Sequence, residues 1–331
     1  MENLTQMLAL MDRPAFCVER GTIIDLNTAA RSLSLSEGMS VGPLLSTGQD
    51  VYAEFTEGCL GLELMLDGGR CSAAVTVVDG RHLFTVEPSR SEDDLRMLSL
   101  AAQALRSPLS DVMALVEALP EDTSQRANIS RSLHRLLRIV GNMTPPPPFC
   151  PEMMDLNALL REIWDQAQPA CEEMGVRFSF VPTPAPVYSM VDGDLLARAI
   201  HNLLSNSMKF PKGDDLRMEL KRDRDHFYIH FWSSGVGLLP DPFFRYLREP
   251  GLEDPKTGLG MGLHLVYKAV IAHGGSVMML PKEGGLLTHI RIPIEIPPTA
   301  LRSNRLRISY TGERDPLLVE LSDVLPPKFY E

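Results

Sequence analysis

Residues 257–275, "TGLGMGLHLVYKAVIAHGG", join closely spaced glycines to a predicted helix. Gly258, Gly260 and Gly262 stand at alternate positions where this helix would begin. Glycine lets the backbone approach a ligand closely, and the free N–H groups and dipole at a helix start favour anions. The spacing therefore predicts a phosphate-binding loop. The alternative is a tight connection between a strand and a helix.

The predicted helix "DGDLLARAIHNLLSNSMKF" carries polar side chains about one turn apart. Asn202, Asn206 and Lys209 fall on one face of it, because residues three or four apart are neighbours on a helix. Taken alone, this pattern is typical of an ordinary solvent-exposed face. Its meaning depends on the segments that surround it.

Four sequence blocks follow one another in a fixed order and resemble the motifs of the histidine-kinase-like (Bergerat-fold) ATPases. "HNLLSNSMKF" is similar to the N-box, "SSGVGL" to the first glycine box, "PFFRYLREP" to the phenylalanine box and residues 257–275 to the second glycine box. A helical hairpin and a proline-rich stretch precede them, as in sensor histidine kinases. The resemblance covers roughly residues 91–297.

The resemblance implies ATP and Mg2+ as cofactors, provided that nucleotide binding is retained. It implies that Asn206 coordinates the metal, since an amide oxygen suits a hard cation, and that Lys209 faces the phosphates. The full nucleotide-facing set that it implies is Asn202, Asn206, Lys209, Ser233, Gly235, Gly237, Gly258, Gly260 and Gly262.

The first glycine box departs from the family pattern at the residue that binds adenine. Ser233 stands where the family has an aspartate that accepts a hydrogen bond from the exocyclic amine. Losing such a charge-assisted bond removes about 1.5–3 kcal/mol, a tenfold to hundredfold loss of affinity. We therefore expect ATP binding to be weak or absent.

The segment "AQALRSPL" resembles the family's phosphoacceptor box, yet Gln103 replaces the histidine and Ala104 the neighbouring acid. Autophosphorylation needs a nucleophilic imidazole and a group that takes its proton, and an amide supplies neither. We therefore predict no catalytic residue in this box. The resemblance implies that Gln103, Arg106 and Ser107 form a partner-binding face.

Residues 91–143 are predicted to form an antiparallel helical hairpin for dimerisation. Apolar residues recur at alternating spacings of three and four, which is typical of helices packed along their length. A hairpin with one apolar stripe per helix buries little by itself, so we expect a homodimer that forms a four-helix bundle. The stripes are Leu95, Leu98, Ala102, Leu105, Leu109, Val112, Val116 and Leu119, then Ile129, Leu133, Leu136, Val140 and Met143.

The remaining regions complete an α+β multidomain chain. Residues 1–88 alternate short strands with a helical run and hairpin turns, an order similar to a PAS sensor domain. Residues 144–151 read as a proline linker. Residues 152–297 alternate helices and strands as an α/β sandwich of the histidine-kinase-like ATPase type. Residues 298–331 form a C-terminal extension without a recognisable pattern.

Composition narrows the classes of function. The 331-residue chain has a formal net charge of -11, which argues against a nucleic acid partner, because phosphate binding needs a basic surface. No apolar run approaches the roughly 18–20 residues that span a bilayer, and the five cysteines form no CxxC pair. We expect a cytoplasmic protein with reduced thiols and no membrane span.

These features lead to one main hypothesis and two alternatives. The main one is a sensor-histidine-kinase-like signalling protein that does not autophosphorylate and acts by binding a response regulator receiver domain or a partner histidine kinase. The first alternative is an active ATP-dependent kinase with a non-standard acceptor such as His134. The second is a structural dimer without a phosphorelay role.

Overall fold

The computed structural model describes residues 2–46, 48–87, 92–118, 124–143, 149–209, 213–235, 262–296 and 314–330. Its N-terminal part is a small α+β unit. Three two-residue hairpin turns join its strands, and each turn pairs a positive-φ residue with a glycine, as at Arg20-Gly21. The elements in chain order are α1 (Glu2–Ala9), β1 (Ala15–Glu19), β2 (Thr22–Leu26), α2 (Thr28–Arg31), a 3-10 turn (Gly42–Leu44), α3 (Gln49–Glu54), β3 (Cys59–Leu66), β4 (Gly69–Val78) and β5 (Arg81–Val86).

The helical hairpin consists of α4 (Glu92–Glu117) and α5 (Ser124–Met143). The predicted apolar stripe divides between two faces of the hairpin. Ala102, Leu109 and Val116 are buried, whereas Leu105 and Val112 are 50% and 44% exposed. Leu119 and the side chains of Leu95, Leu98 and Met143 lie outside the described residues.

The following region is an α/β sandwich whose helices cover one face of its sheet. An Asp155 N-cap opens the first long helix by accepting from the Asn157 amide at 3.0 Å. The elements are β6 (Glu152–Asp155), α6 (Leu156–Glu173), β7 (Arg177–Val181), β8 (Tyr188–Val191), α7 (Gly193–Lys209), β9 (Asp215–Arg222), β10 (His226–Ser234), α8 (Gly262–Ala272), β11 (Ser276–Lys282) and β12 (Gly285–Pro293).

The C-terminal residues fold back onto this body. Helix α9 (Pro316–Glu320) and a 3-10 helix (Pro327–Tyr330) are packed elements. Leu317, Leu321, Leu325 and Tyr330 join the main hydrophobic core between the helices and the sheet, and Val319 joins the core of the hairpin. Part of the extension without a sequence pattern is therefore integral to the fold.

One ten-stranded sheet runs through both the N-terminal unit and the sandwich, in the order β2-β1-β5-β4-β3-β11-β12-β10-β9-β7, and β6 pairs with β8 separately. The junction is the antiparallel pair β3–β11, where Val277 faces Gly61 and Met279 faces Cys59. The sequence did not predict this junction. The PAS type of the N-terminal unit and the dimeric bundle stay predictions.

Candidate functional site

Helix α7 supplies the central row of the site. Its start is fixed by Asp192, whose carboxylate accepts from the amide of Leu195 at 3.0 Å. Leu196, Ile200 and Leu204 anchor the helix in the core. The opposite side carries the three polar residues predicted to meet a nucleotide, among which Asn202 is fully buried.

The start of α8 lies directly against this row. A Cβ atom at Gly262 would come 2.8 Å from Asn202 Oδ1 and 3.4 Å from Asn206 Nδ2. Only glycine fits this approach without a shift of the neighbouring amides. The structure thus brings Gly262, Asn202 and Asn206 together, while Gly237, Gly258, Gly260 and the phenylalanine-box block lie outside the described residues.

Ser233 is placed near the end of β10 and is 4% exposed. Its side chain lies on the same strand face as the buried Phe227, Ile229 and Phe231, because alternate residues share a face. Gly235 follows in a turn with φ 77°, and its amide donates to the Gly284 carbonyl at 3.0 Å. The described contacts of Gly235 are therefore those of a backbone turn.

Lys209 is held by an acid from the C-terminal segment, which we define as residues 314–330. Its Nζ lies 2.6 Å from Asp323 Oδ2, and both side chains are more than nine-tenths buried. Burial lowers the pKa of the Lys209 ammonium, and the charge of Arg138 lowers it further, against the pull of Asp323. Burial alone would raise the pKa of Asp323, but the charges of Arg138 and Lys209 hold it below its usual value.

Asn202 is likewise engaged by the protein itself. Its Oδ1 accepts from Arg138 Nη2 at 3.2 Å, and its Nδ2 donates to the Arg198 carbonyl at 2.9 Å. Arg138 belongs to α5, so the helical hairpin reaches the row of polar residues on α7. Both the carbonyl and the amino group of Asn202 therefore have protein partners.

Two carboxylates of the C-terminal segment meet four cationic side chains, which we call the cationic cluster: Arg135, Arg138, Arg198 and Lys209. Glu320 is fully buried and accepts from Arg138 Nε and Arg198 Nε, each at 3.0 Å. Asp323 lies 2.7 Å from Arg138 Nη1 and 2.8 Å from Arg135 Nε. Buried charges are stable when they are paired in this way.

Two buried polar side chains beside this cluster make no hydrogen bond within the part of the chain that the structure describes. They are the His201 imidazole and the Ser205 hydroxyl, one turn apart on α7. Burial lowers the pKa of His201, although the charges of Glu320 and Asp315 oppose the shift. His201 therefore has a packing role in this arrangement.

On the hairpin, Gln103 and Ala104 are exposed on α4, Arg106 is half-buried, and the side chain of Ser107 lies outside the described residues. His134 is buried, and its ring packs edge-on against Tyr330 with the two ring centroids 4.9 Å apart. Its Nδ1 lies 2.8 Å from the Ser130 carbonyl oxygen. Burial lowers its pKa. These contacts are those of a packing residue.

Sequence reasoning missed the residues that occupy the site: Arg138, Arg198, Glu320 and Asp323. One signal could have located α9, because Asp315-Pro316 is a typical helix start, with an N-cap acid and a proline in the first turn. Nothing local indicates which distant cations these acids meet.

The fit of Mg2+ and ATP can be judged on these contacts. Asn206 stands beside Gly262, as an amide at the start of a glycine-opened helix would. Lys209 and Asn202, by contrast, are turned to Asp323 and Arg138. Within the described ranges, no group of three or more His, Cys, Asp or Glu side chains could hold a metal ion. In this arrangement carboxylates of the same chain occupy the cationic donors of the site.

Comparison with known proteins identifies the type of domain that carries this site. Residues 191–296 match the family model described as histidine kinase-, DNA gyrase B-, and HSP90-like ATPase. The range contains α7, β9, β10, α8, β11 and β12. The chain therefore carries a histidine-kinase-like ATPase domain and is similar to sensor histidine kinases. This match agrees with the resemblance to histidine-kinase-like ATPases that the ordered blocks predicted.

The chain is similar to several histidine kinases over part of its length. The aerobic respiration control sensor protein ArcB of Escherichia coli (strain K12) is 22% identical over 215 residues, 59% of this chain. Sporulation kinase E of Bacillus subtilis (strain 168) is 25% identical over 206 residues, 58% of this chain. The crystal structure of full-length ShkA in complex with AMPPNP is 21% identical, has a TM-score of 0.50 and covers 62% of this chain and 47% of ShkA.

The chain spans 28% of the length of each of these two curated relatives. The structural likeness to ShkA concerns the fold. As for membranes, none of the helices in the described ranges is long and apolar enough to cross a bilayer.

Proposed function

We propose that this sensor-histidine-kinase-like protein transduces a signal without phosphorylating itself, by binding a response regulator receiver domain or a partner histidine kinase. The observation that carries the proposal is the occupation of the nucleotide-facing row by the protein's own side chains. Lys209 is bound to Asp323, and Asn202 to Arg138. A residue committed to an internal partner binds a ligand only after that partner is displaced.

The adenine end of the site supports the same conclusion. Ser233 is buried on the core face of β10 and offers a neutral hydroxyl where a carboxylate would accept the adenine amine. Hydrogen bonds to a charged group contribute about 1.5–3 kcal/mol, roughly twice a neutral bond. ATP is therefore expected to bind weakly or not at all.

The hairpin supports the loss of self-phosphorylation. The exposed position at which the phosphoacceptor belongs carries Gln103, whose amide nitrogen is not a nucleophile. The alternative acceptor His134 is buried against Tyr330 and bound to the Ser130 carbonyl, which puts its ring out of reach of a phosphate donor. These contacts favour the non-catalytic proposal over the active-kinase alternative.

The exposed side of the hairpin supports a homodimer. Five large apolar side chains on it are 41–69% exposed, and they recur at heptad-like spacing: Leu105, Val112 and Leu115 on α4, Ile129 and Leu136 on α5. A second copy of the hairpin would cover these stripes and complete a four-helix bundle. In such a dimer, Gln103 and Arg106 would lie on a surface that a receiver domain can reach.

The proposal is tested by incubating the full chain with radiolabelled ATP and Mg2+, beside Gln103→His. We expect no acid-labile phosphate on either protein, because the nucleotide row and the adenine end are both altered. A parallel binding assay with purified receiver domains from the source organism should give saturable binding that Gln103→Arg weakens. Phosphate on the unchanged chain revives the active-kinase alternative, and no receiver or kinase binding favours a structural dimer.

A further inference from the structure

We infer that the C-terminal segment is a tethered anionic ligand of the ATPase-type domain, and that a phosphate-bearing ligand reaches Lys209 only when this segment leaves. The inference rests on the proposed function in one respect, the identification of α7 as the nucleotide-facing helix. It concerns the acids that occupy the site and not the loss of phosphate transfer.

The contacts show a built anion site rather than a surface ion pair. Arg138, Arg198 and Glu320 are at most 5% exposed, and the Lys209 and Asp323 side chains are 8% and 4% exposed. Glu320 bridges two guanidinium groups, and Asp323 lies between an ammonium and two guanidinium groups. Arginine and lysine also recognise phosphate oxygens through such charge-assisted bonds. Carboxylate and phosphate therefore compete for the same donors.

The segment is held in its site by tertiary contacts and not by the stability of its own helix. Its helix α9 has only five residues, and an isolated helix of that length is unstable in water. It depends on tertiary contacts, chiefly those of Leu317, Leu321, Leu325 and Tyr330 in the main core and of Val319 in the hairpin core, with the exposed ion pair of Lys328 and Glu173 beside them.

Release of the C-terminal segment would also change the contacts of the hairpin. Arg138 on α5 binds Glu320 and Asp323, and it binds Asn202 on α7 as well. With the segment docked, α5, α7 and α9 share one buried charge network. Departure of the two acids would leave Arg138 without its carboxylate partners, so an anion at this site would alter the contact between the hairpin and the ATPase-type domain.

The test uses Mg2+ tripolyphosphate, which needs no adenine recognition, titrated into the full chain by calorimetry. Asp323→Asn removes the charge that holds Lys209. Glu173→Gln is the matched control, because it weakens an exposed ion pair of the same segment and leaves the cationic cluster intact. We expect Asp323→Asn to bind tripolyphosphate about tenfold or more tightly than the parent and the control, the size of one charge-assisted bond. Adding Lys209→Met should abolish the gain.

A second measurement uses the unchanged protein. Competition is reciprocal, so tripolyphosphate must increase amide hydrogen exchange at Leu317, Val319 and Leu321 in the parent. The inference is overturned if Asp323→Asn binds no more tightly than Glu173→Gln, if the gain survives Lys209→Met, or if the anion binds the parent without faster exchange there. Phosphate transfer by the chain would refute the proposed function and leave this competition intact, so the two failures are distinguishable.

Discussion

The carboxylate of Asp323 lies 2.6 Å from the ammonium of Lys209, although 114 residues separate them along the chain. Lys209 lies in the block that resembles the N-box, and Asp323 belongs to an extension in which sequence reasoning found no pattern. The pair shows that the row of α7 predicted to receive phosphates is bound to an acid of the same molecule. This relationship connects the signalling proposal with the role inferred for the C-terminal segment.

Replacing Glu320 should destabilise the protein more than any exposed acid of the same region. Glu320→Gln removes the buried carboxylate that pairs with both Arg138 and Arg198, while Arg138 keeps Asp323. We expect a loss of about 3–5 kcal/mol in the free energy of unfolding. Urea unfolding followed by fluorescence measures it. The matched control is Glu117→Gln, since Glu117 is 60% exposed and pairs with Arg314 of the same segment. It should cost less than about 1 kcal/mol, and equal losses for the two variants would contradict the buried network.

The junction between the two parts of the sheet should depend on Gly58. Its φ is +87°, and a Cβ there would lie 2.1 Å from the Met279 carbonyl oxygen. Gly58→Ala should therefore cost at least about 1 kcal/mol more than Gly21→Ala. Gly21 has a similar φ of +77° and open space around it. Hydrogen exchange at Val277 and Met279 reports the junction, and unchanged protection in Gly58→Ala would count against it.

The exposed stripe of the hairpin should set the oligomeric state. A charge at Val112, which is 44% exposed within the apolar stripe, should separate the proposed dimer. In sedimentation equilibrium we expect twice the chain mass of 36.7 kDa for the parent and the single mass for Val112→Glu. Ser110→Glu adds the same charge at an exposed polar position nearby and should stay dimeric. A monomeric parent would refute the bundle.

Acidic pH should lower the free energy of unfolding through two neighbouring histidines, which lie on the face of the sheet opposite to the buried Phe231. His289 Nδ1 lies 2.8 Å from His230 Nε2. Burial, with the charge of His230 added, lowers the pKa of His289 to about 4. An unfolded chain with an ordinary histidine pKa near 6.5 then binds more protons. Stability is full above about pH 6.5 and falls towards pH 4, by at most about 3 kcal/mol for this group.

The comparison that checks this pH dependence is between the parent and His289→Gln, by urea unfolding at several pH values between 7 and 4.5. The variant should lose less stability on acidification, because it lacks the group whose protonation favours unfolding. Parallel curves for the two proteins would show that the pair does not carry the effect.

Much of the fold was predictable because its signals are local. Apolar periodicity located α4 and α5, and hairpin turns were predicted within residues 1–88. The structure has three such turns, at Arg20-Gly21, Asp67-Gly68 and Asp79-Gly80. Helices α1 and α3 were missed, since short helices carry too few residues to show a period. The positions of Asn202, Asn206 and Gly262 followed from motif order, and the structure brings them together.

The acids that occupy the site were not predictable, because the contacts that place them are not local in the sequence. Glu320 and Arg138 are 182 residues apart, and neither has a neighbour that reports their pairing. The pairing of β3 with β11 is equally remote in sequence, because any edge strand can accept another. Interactions of this kind depend on the assembled shape, which residue patterns alone do not contain.

The most direct test of the account is a titration of the unchanged full chain with a fluorescent adenine nucleotide in the presence of Mg2+. With Ser233 at the position predicted to meet adenine and Lys209 bound to Asp323, we predict no saturation up to about 1 mM nucleotide. Saturable, Mg2+-dependent binding near about 10 μM would contradict the account.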